Sequence, residues 1–241
     1  MLYNIKLKDV LFLDIETVPQ NEKYDDLSDK LKKLWDRKAE KLISENETPE
    51  NIYNRAGIYA EFGKIICIST GYIHTENNER TFRLKSFYSQ NETELLSEFA
   101  EMLNTHFNKQ NFYLCAHNGK EFDYPYISRR MLLNSIKLPK ILNISGLKPW
   151  EIKHLDTLEM WKFGDYKSYT SLDLLTTIFN IPTPKDDIDG SLVYKVFYEE
   201  NNLNRIVKYC EKDVLAITQL LLKYRNEPIL NDNEIVSVTK F

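Results

Sequence analysis

Apolar positions recur along the chain with two spacings, and their alternation predicts a mixed sheet flanked by helices. Val10 to Leu13 form an apolar run that meets Asp14 and then Glu16. Strand residues alternate faces, so these two acids point to one side and Leu13 and Ile15 to the other. GKIICISTGYI (63–73) reads as a buried strand and TFRLKSFY (81–88) as its hairpin partner. NFYLCAH (111–117) predicts another strand, and HLDTLEMW (154–161) a strand or turn running into a helix.

Helical spacing begins in residues 23–44, where Leu27, Leu31, Leu34, Trp35 and Leu42 form a stripe. Thr48 is expected to cap a second helix with Pro49 at its first position. Asn91 opens a helix carrying Leu95, Leu96, Phe99, Met102 and Leu103, and Pro125 is expected to begin another. Thr170 and Asp173 suggest a capping box before LDLLTTIFNI, and the last strong helix spans 203–224. The tail from about 228 is polar and carries no pattern. No repeat or linker divides the chain, so one domain is expected over 1–241, with a helical insertion over about 20–62.

A length of 241 residues with 42% hydrophobic and 28% charged positions suits a soluble α/β domain with a sizeable core. No apolar run reaches membrane-spanning length, and MLYNIKLKDV lacks the apolar core of a signal peptide. Cys67, Cys115 and Cys210 each lie in an apolar segment outside any C-x-x-C, which predicts reduced, buried thiols and a cytoplasmic setting. A net charge of −4 argues against a duplex binder driven by electrostatics. It is compatible with an acidic site that recruits cations.

Two acids side by side on a strand repel. They are tolerated if a cation sits between them, if one stays protonated, or if the strand end meets water. Two other segments bear on the choice. In the last helix Ile206, Cys210, Ile217 and Leu220 mark a buried face; Asp213 falls within it, and Tyr209 lies one turn earlier. A carboxylate there costs on the order of several kcal/mol unless it is paired or metal-bound, with Lys208 or Arg205 as the structural alternative. In HNGKEFDYPYISRR (117–130), Asp123 is by default a helix cap. Beside the other acids it also supplies a fourth carboxylate at the carboxyl end of a strand, where open α/β sheets place their sites.

In this order D-x-E, N-x-x-x-F-D-x-P and Y-x-x-x-D resemble the three motifs of the DEDD 3′–5′ exonucleases, with the tyrosine of the DEDDy branch. NGKEFDYPYISRR (118–130) is closest to the proofreading domain of family B DNA polymerases. DTLEMWKFGDYKSYTSLDLL and PTPKDDIDG look like stand-alone bacterial proteins classed as predicted exonucleases related to that domain. The resemblance covers about residues 8 to 222.

It implies a ribonuclease H-like α/β fold, a five-stranded mixed sheet with helices on both sides. By position, Asp14, Glu16, Asp123 and Asp213 would hold two divalent cations, Mg2+ or Mn2+. Asp14 would bridge both, Glu16 and Asp213 would complete one, and Asp123 would reach the second. Tyr209 would orient the attacking water. Hard oxygen ligands suit these ions, and a metal pair suits in-line displacement at phosphorus.

The expected activity is 3′–5′ exonucleolytic hydrolysis of single-stranded ends, DNA ahead of RNA, with a polymerase or repair partner possible in trans. An exoribonuclease and a catalytically weak nucleic-acid-binding module are the alternatives. A dehalogenase-like phosphatase is disfavoured: LFLDIET is close to its D-x-D-x-T, but Pro182 and Pro184 precede KDDID (185–189). Thr17, Asn118 and Phe122 are candidate substrate contacts, with cap, turn former and core residue as their structural roles. His117 borders the same site, and His154 and Asp156 are expected to shape the strand beside the acids. Lys32, Lys33, Arg37, Lys38 and Lys41 make either a solvated face or a basic wall for the strand. Trp161, Tyr166 and Tyr169 are expected in the core, with a base-stacking platform as the alternative.

Overall fold

The continuous apolar run of the first strand is explained by burial on both faces. In the computed structural model, which describes residues 3–77, 79–165, 167, 169–182 and 188–240, that strand is β1 (Val10–Pro19). α1 (Asp29–Ala39), β2 (Gly63–Glu76), β3 (Glu79–Tyr88), α2 (Glu92–His106), β4 (Tyr113–Ala116) and α3 (Asp123–Leu133) come next. Then come β5 (Leu155–Asp156), α4 (Thr157–Lys162), α5 (Leu172–Ile178), α6 (Val193–Tyr198), α7 (Leu203–Tyr224) and β6 (Ile235–Ser237).

The strand order is β5-β4-β1-β2-β3-β6. β1, β2 and β3 pair antiparallel, while β4 runs parallel to β1, β5 to β4 and β6 to β3. On one face Leu11, Leu13 and Ile15 pack against Leu95, Leu96 and Phe99 of α2 and Ile127 and Met131 of α3. On the other, Phe12 meets Val214, Ile217 and Leu221 of α7, and Val18 meets Val193 and Val196 of α6. The fold is α/β and ribonuclease H-like, with helices on both sides of the sheet.

The sheet has six strands, not the expected five, among the described residues. The extra strand comes from the tail, which folds back because the Arg80 guanidinium binds the Glu234 carboxylate and donates to the carbonyls of Pro228 and Ile229. These contacts span about 150 positions, far outside any local pattern.

The insertion is less helical than its spacing suggests. Ser28 Oγ accepts from the Leu31 N–H, and α1 ends at Ala39. Trp35 and Ala39, four residues apart, turn one face onto a small core with Leu27, Ile52, Tyr53 and Ala56. Leu31 and Leu34 stay 39% and 42% exposed, so they leave the predicted stripe. Thr48 does accept from the Asn51 N–H, but turns and a 3-10 segment (Tyr53–Ile58) take the place of an α-helix. Two of the basic residues are occupied within the insertion: Lys32 pairs with Asp25, and Lys38 lies over the Tyr59 ring.

Two helix starts also shift. α3 begins at Asp123, two residues before Pro125. α5 is capped by Ser171, whose Oγ accepts from the Leu174 N–H, and not by Thr170. Tyr166 and most of KDDID lie outside the described residues. Among those described, no helix is long and apolar enough to cross a membrane.

Candidate active site

β1 brings the first two acids to the middle of the sheet. Phe12 pairs with Cys115 of β4, so Asp14 and His117 each emerge two residues further along neighbouring parallel strands. Across the other edge Asp14 faces Ser69 and Glu16 faces Cys67, and the register shifts between Glu16 and Thr17. Such a bulge ends regular pairing just after the second acid and re-aims the residues beyond it. Thr17, half-buried on that side, hydrogen-bonds the Tyr126 hydroxyl.

α7 crosses the same face. Its Cys210 Sγ lies 3.4 Å from both Asp14 Oδ2 and the Asp14 carbonyl, as donor to each. Ligand atoms of Asp14, Glu16 and Cys210 all lie within 4.8 Å of one another. Tyr209 and half-buried Asp213, on the adjoining stripe of α7, share a hydrogen bond.

Asp123 enters from α3. It is the first residue of the helix, yet its side chain is no cap: it is 2% exposed, and Oδ1 has no hydrogen-bond partner. What holds this corner is Asp156. Its carboxylate accepts from the backbone N–H groups of Asn118 and Lys120, at 3.0 Å each, and from those of Leu158 and Glu159. It thereby ties the turn after β4 to the start of α4. Asn118 takes the left-handed conformation that the turn needs, at φ 62°. His154 accepts from the Leu114 N–H and donates to the Ile141 carbonyl, a neutral tautomer consistent with burial lowering its pKa to about 4. Phe122 packs partly buried on the α2–α3 core, 5.3 Å from the Tyr126 ring.

The electrostatics arise from this crowding. Burial, then the charges of Asp213, Asp123 and Glu16, hold the Asp14 carboxyl well above the usual carboxylate range, and the Cys210 thiol opposes them. Burial also raises Glu16, with Asp213, Cys67 and Asp123 adding to it. Asp123 is pushed up to about 8, chiefly by burial, with the Asp156 charge adding and the backbone of Asp123 and Ile15 opposing. Burial and the nearby Asp213, Glu16 and Asp14 raise Tyr209, so its hydroxyl stays neutral.

The structure thus brings Asp14, Glu16, Asp123, Asp213 and Tyr209 into one electrostatic cluster from three separate segments. A family of predicted 3′–5′ exonucleases related to the exonuclease domain of PolB matches residues 58–230. The chain belongs to this family. Membership supports a nuclease function, and the matched segment includes Asp123, Tyr209 and Asp213, while Asp14 and Glu16 precede it.

The donor set of this family member fits a hard divalent cation. A cation held by Asp14 and Glu16 would offset the repulsion among the carboxylates that act on them. Cys210 Sγ belongs to the same group of ligand atoms, and burial and its neighbours raise its pKa while its thiol donates to Asp14. Sequence spacing alone counts Cys210 only as part of an apolar stripe. Its position between Tyr209 and Asp213, one turn from the acid, is the signal that it faces the site.

Proposed function

We propose that the protein is a metal-dependent 3′–5′ exonuclease hydrolysing terminal phosphodiesters of single-stranded nucleic acid, DNA ahead of RNA. The observation that carries this reading is the Asp14–Glu16–Cys210 group, whose ligand atoms lie within 4.8 Å of one another, with the charges of Asp123 and Asp213 acting on both acids and Asp123 buried with an unpartnered oxygen. Asp14, Glu16, Asp123 and Asp213 would hold two divalent cations, Mg2+ or Mn2+, which supply charge neutralisation and substrate orientation for in-line displacement.

The chain's own groups do the positioning. Tyr209, neutral and hydrogen-bonded to Asp213, orients the attacking water without acting as a base. The Cys210 thiol fixes Asp14 through its Oδ2. Thr17, Asn118 and Phe122 are the candidate contacts for a terminal nucleotide. The preference for DNA rests on kinship with a DNA polymerase's exonuclease domain. A polymerase or repair enzyme acting in trans is the partner this implies, and unpaired thiols suit the cytoplasm.

The test uses 5′-labelled single-stranded DNA and RNA with magnesium, manganese or EDTA, comparing wild type with Asp14→Ala. A ladder shortening from the 3′ end, lost with EDTA and in the variant, is expected, faster on DNA. Cleavage that persists in EDTA, or that releases internal fragments, would contradict the reading.

A further inference from the structure

Tyr169 is placed unlike Trp161 of the same aromatic set. Trp161 packs against Phe179 and stacks with Tyr224 in a small satellite core, as the sequence suggested. Tyr169, expected in the core, is instead 64% exposed, with its ring set edge-on against His117 at 6.2 Å. Phe12 pairs with Cys115, so Asp14 and His117 each lie two residues further along neighbouring segments, and the charges of Asp123, Asp156 and Asp14 acting on the Tyr169 hydroxyl put this exposed ring near the acid cluster.

His117 anchors the segment. Its Nε2 lies 3.0 Å from the Thr170 carbonyl, which can only accept, so Nε2 carries the proton and Nδ1 accepts from the Thr157 hydroxyl at 2.9 Å. Burial lowers the His117 pKa, consistent with that neutral tautomer. The residue after Tyr169 is thereby pinned to the end of β4, and the tyrosine ring is held without being covered. An exposed, backbone-anchored aromatic ring beside a nucleic-acid cleavage site has the character of a stacking platform, which accepts any base because every base has a π-face.

Resting on the exonuclease reading, we infer that Tyr169 is a substrate-binding residue whose ring stacks on a nucleobase at the 3′ end of the strand, with His117 as its positioning residue. The ring, not the hydroxyl, provides the contact. This makes binding of the last nucleotides tolerant of base identity.

The test is binding of a single-stranded DNA oligonucleotide carrying 2-aminopurine at its 3′ terminus, with calcium replacing magnesium to suppress turnover. Wild type should quench the fluorophore. Tyr169→Phe should quench equally, and Tyr169→Ala should lose the quench and bind roughly tenfold more weakly, in keeping with base–aromatic stacking elsewhere. Moving 2-aminopurine to an interior position should reduce the difference between the variants. His117→Ala should give an intermediate loss. Because Tyr169 is exposed, its variants should melt like wild type. Unchanged quench and affinity in Tyr169→Ala would overturn the platform and leave the exonuclease reading intact. Failure of wild type to bind any single strand would overturn both.

Discussion

Replacing Asp123 with asparagine should make the metal-free protein more stable at neutral and alkaline pH, although it removes a proposed ligand. The folded carboxyl holds its proton to about 8, against an ordinary value of 3.8. Between these values the folded state binds more protons than the unfolded one, so stability falls as pH rises through this window and levels above it. At about 1.4 kcal/mol per pH unit, the interval up to pH 7 sets a ceiling of roughly 4 kcal/mol. Relaxation and water entry into the site should reduce this to about 1–3 kcal/mol. Asparagine cannot ionise and escapes the penalty. Urea unfolding in EDTA at pH 5, 6, 7 and 8 would measure the difference, with the common charge effects cancelling between variants. The gap should be small at pH 5 and favour Asp123→Asn increasingly towards pH 8. Manganese should reverse it by stabilising wild type more. A gap that stayed constant, or that narrowed as pH rose, would mean that the buried carboxyl is already ionised at pH 5.

Three further substitutions probe other parts of the account. Tyr209→Phe should keep metal binding, read by calorimetry, while turnover falls about a hundredfold, within the range for a lost positioning group; normal turnover would remove the tyrosine from the mechanism. Trp35→Ala should cost about 3–5 kcal/mol in urea unfolding, because its ring is fully buried and its Nε1–H donates to the Pro49 carbonyl at 2.7 Å. Glu92→Ala should cost a similar ~3–5 kcal/mol by stranding the buried Arg130 guanidinium. The double variant Glu92→Met/Arg130→Met should recover much of that loss, and a double variant no better than the single would show that the charge was not the cause.

Legibility from sequence tracked how local the cause was. α7 runs from Leu203 to Tyr224 as its spacing predicts, because one apolar face repeats over six turns. The strands around Asp14 and within 63–88 were readable for the same reason. β6 was not, since it depends on Arg80 reaching across the fold to Glu234. Among the proposed site residues, Asp14 and Glu16 were visible from strand alternation and Asp213 from its helical spacing within an apolar stripe, although it lies half-buried on the adjoining one. Asp123 looks like an ordinary helix cap until burial shows that it caps nothing. Cys210 escaped because its residue type and spacing suggested only apolar packing, and for Tyr169 a core role was favoured over a stacking platform. A thiol donating to a carboxylate and an exposed ring on a histidine edge are properties of placement, not of spacing.

The central claim is that divalent cations belong among Asp14, Glu16, Asp123 and Asp213. Anomalous diffraction from crystals soaked in manganese tests it most directly. The account predicts two peaks coordinated by oxygens of these four carboxylates, with the Cys210 sulfur outside the coordination sphere. Peaks absent from the cluster, or one bonded to the Cys210 sulfur, would contradict it.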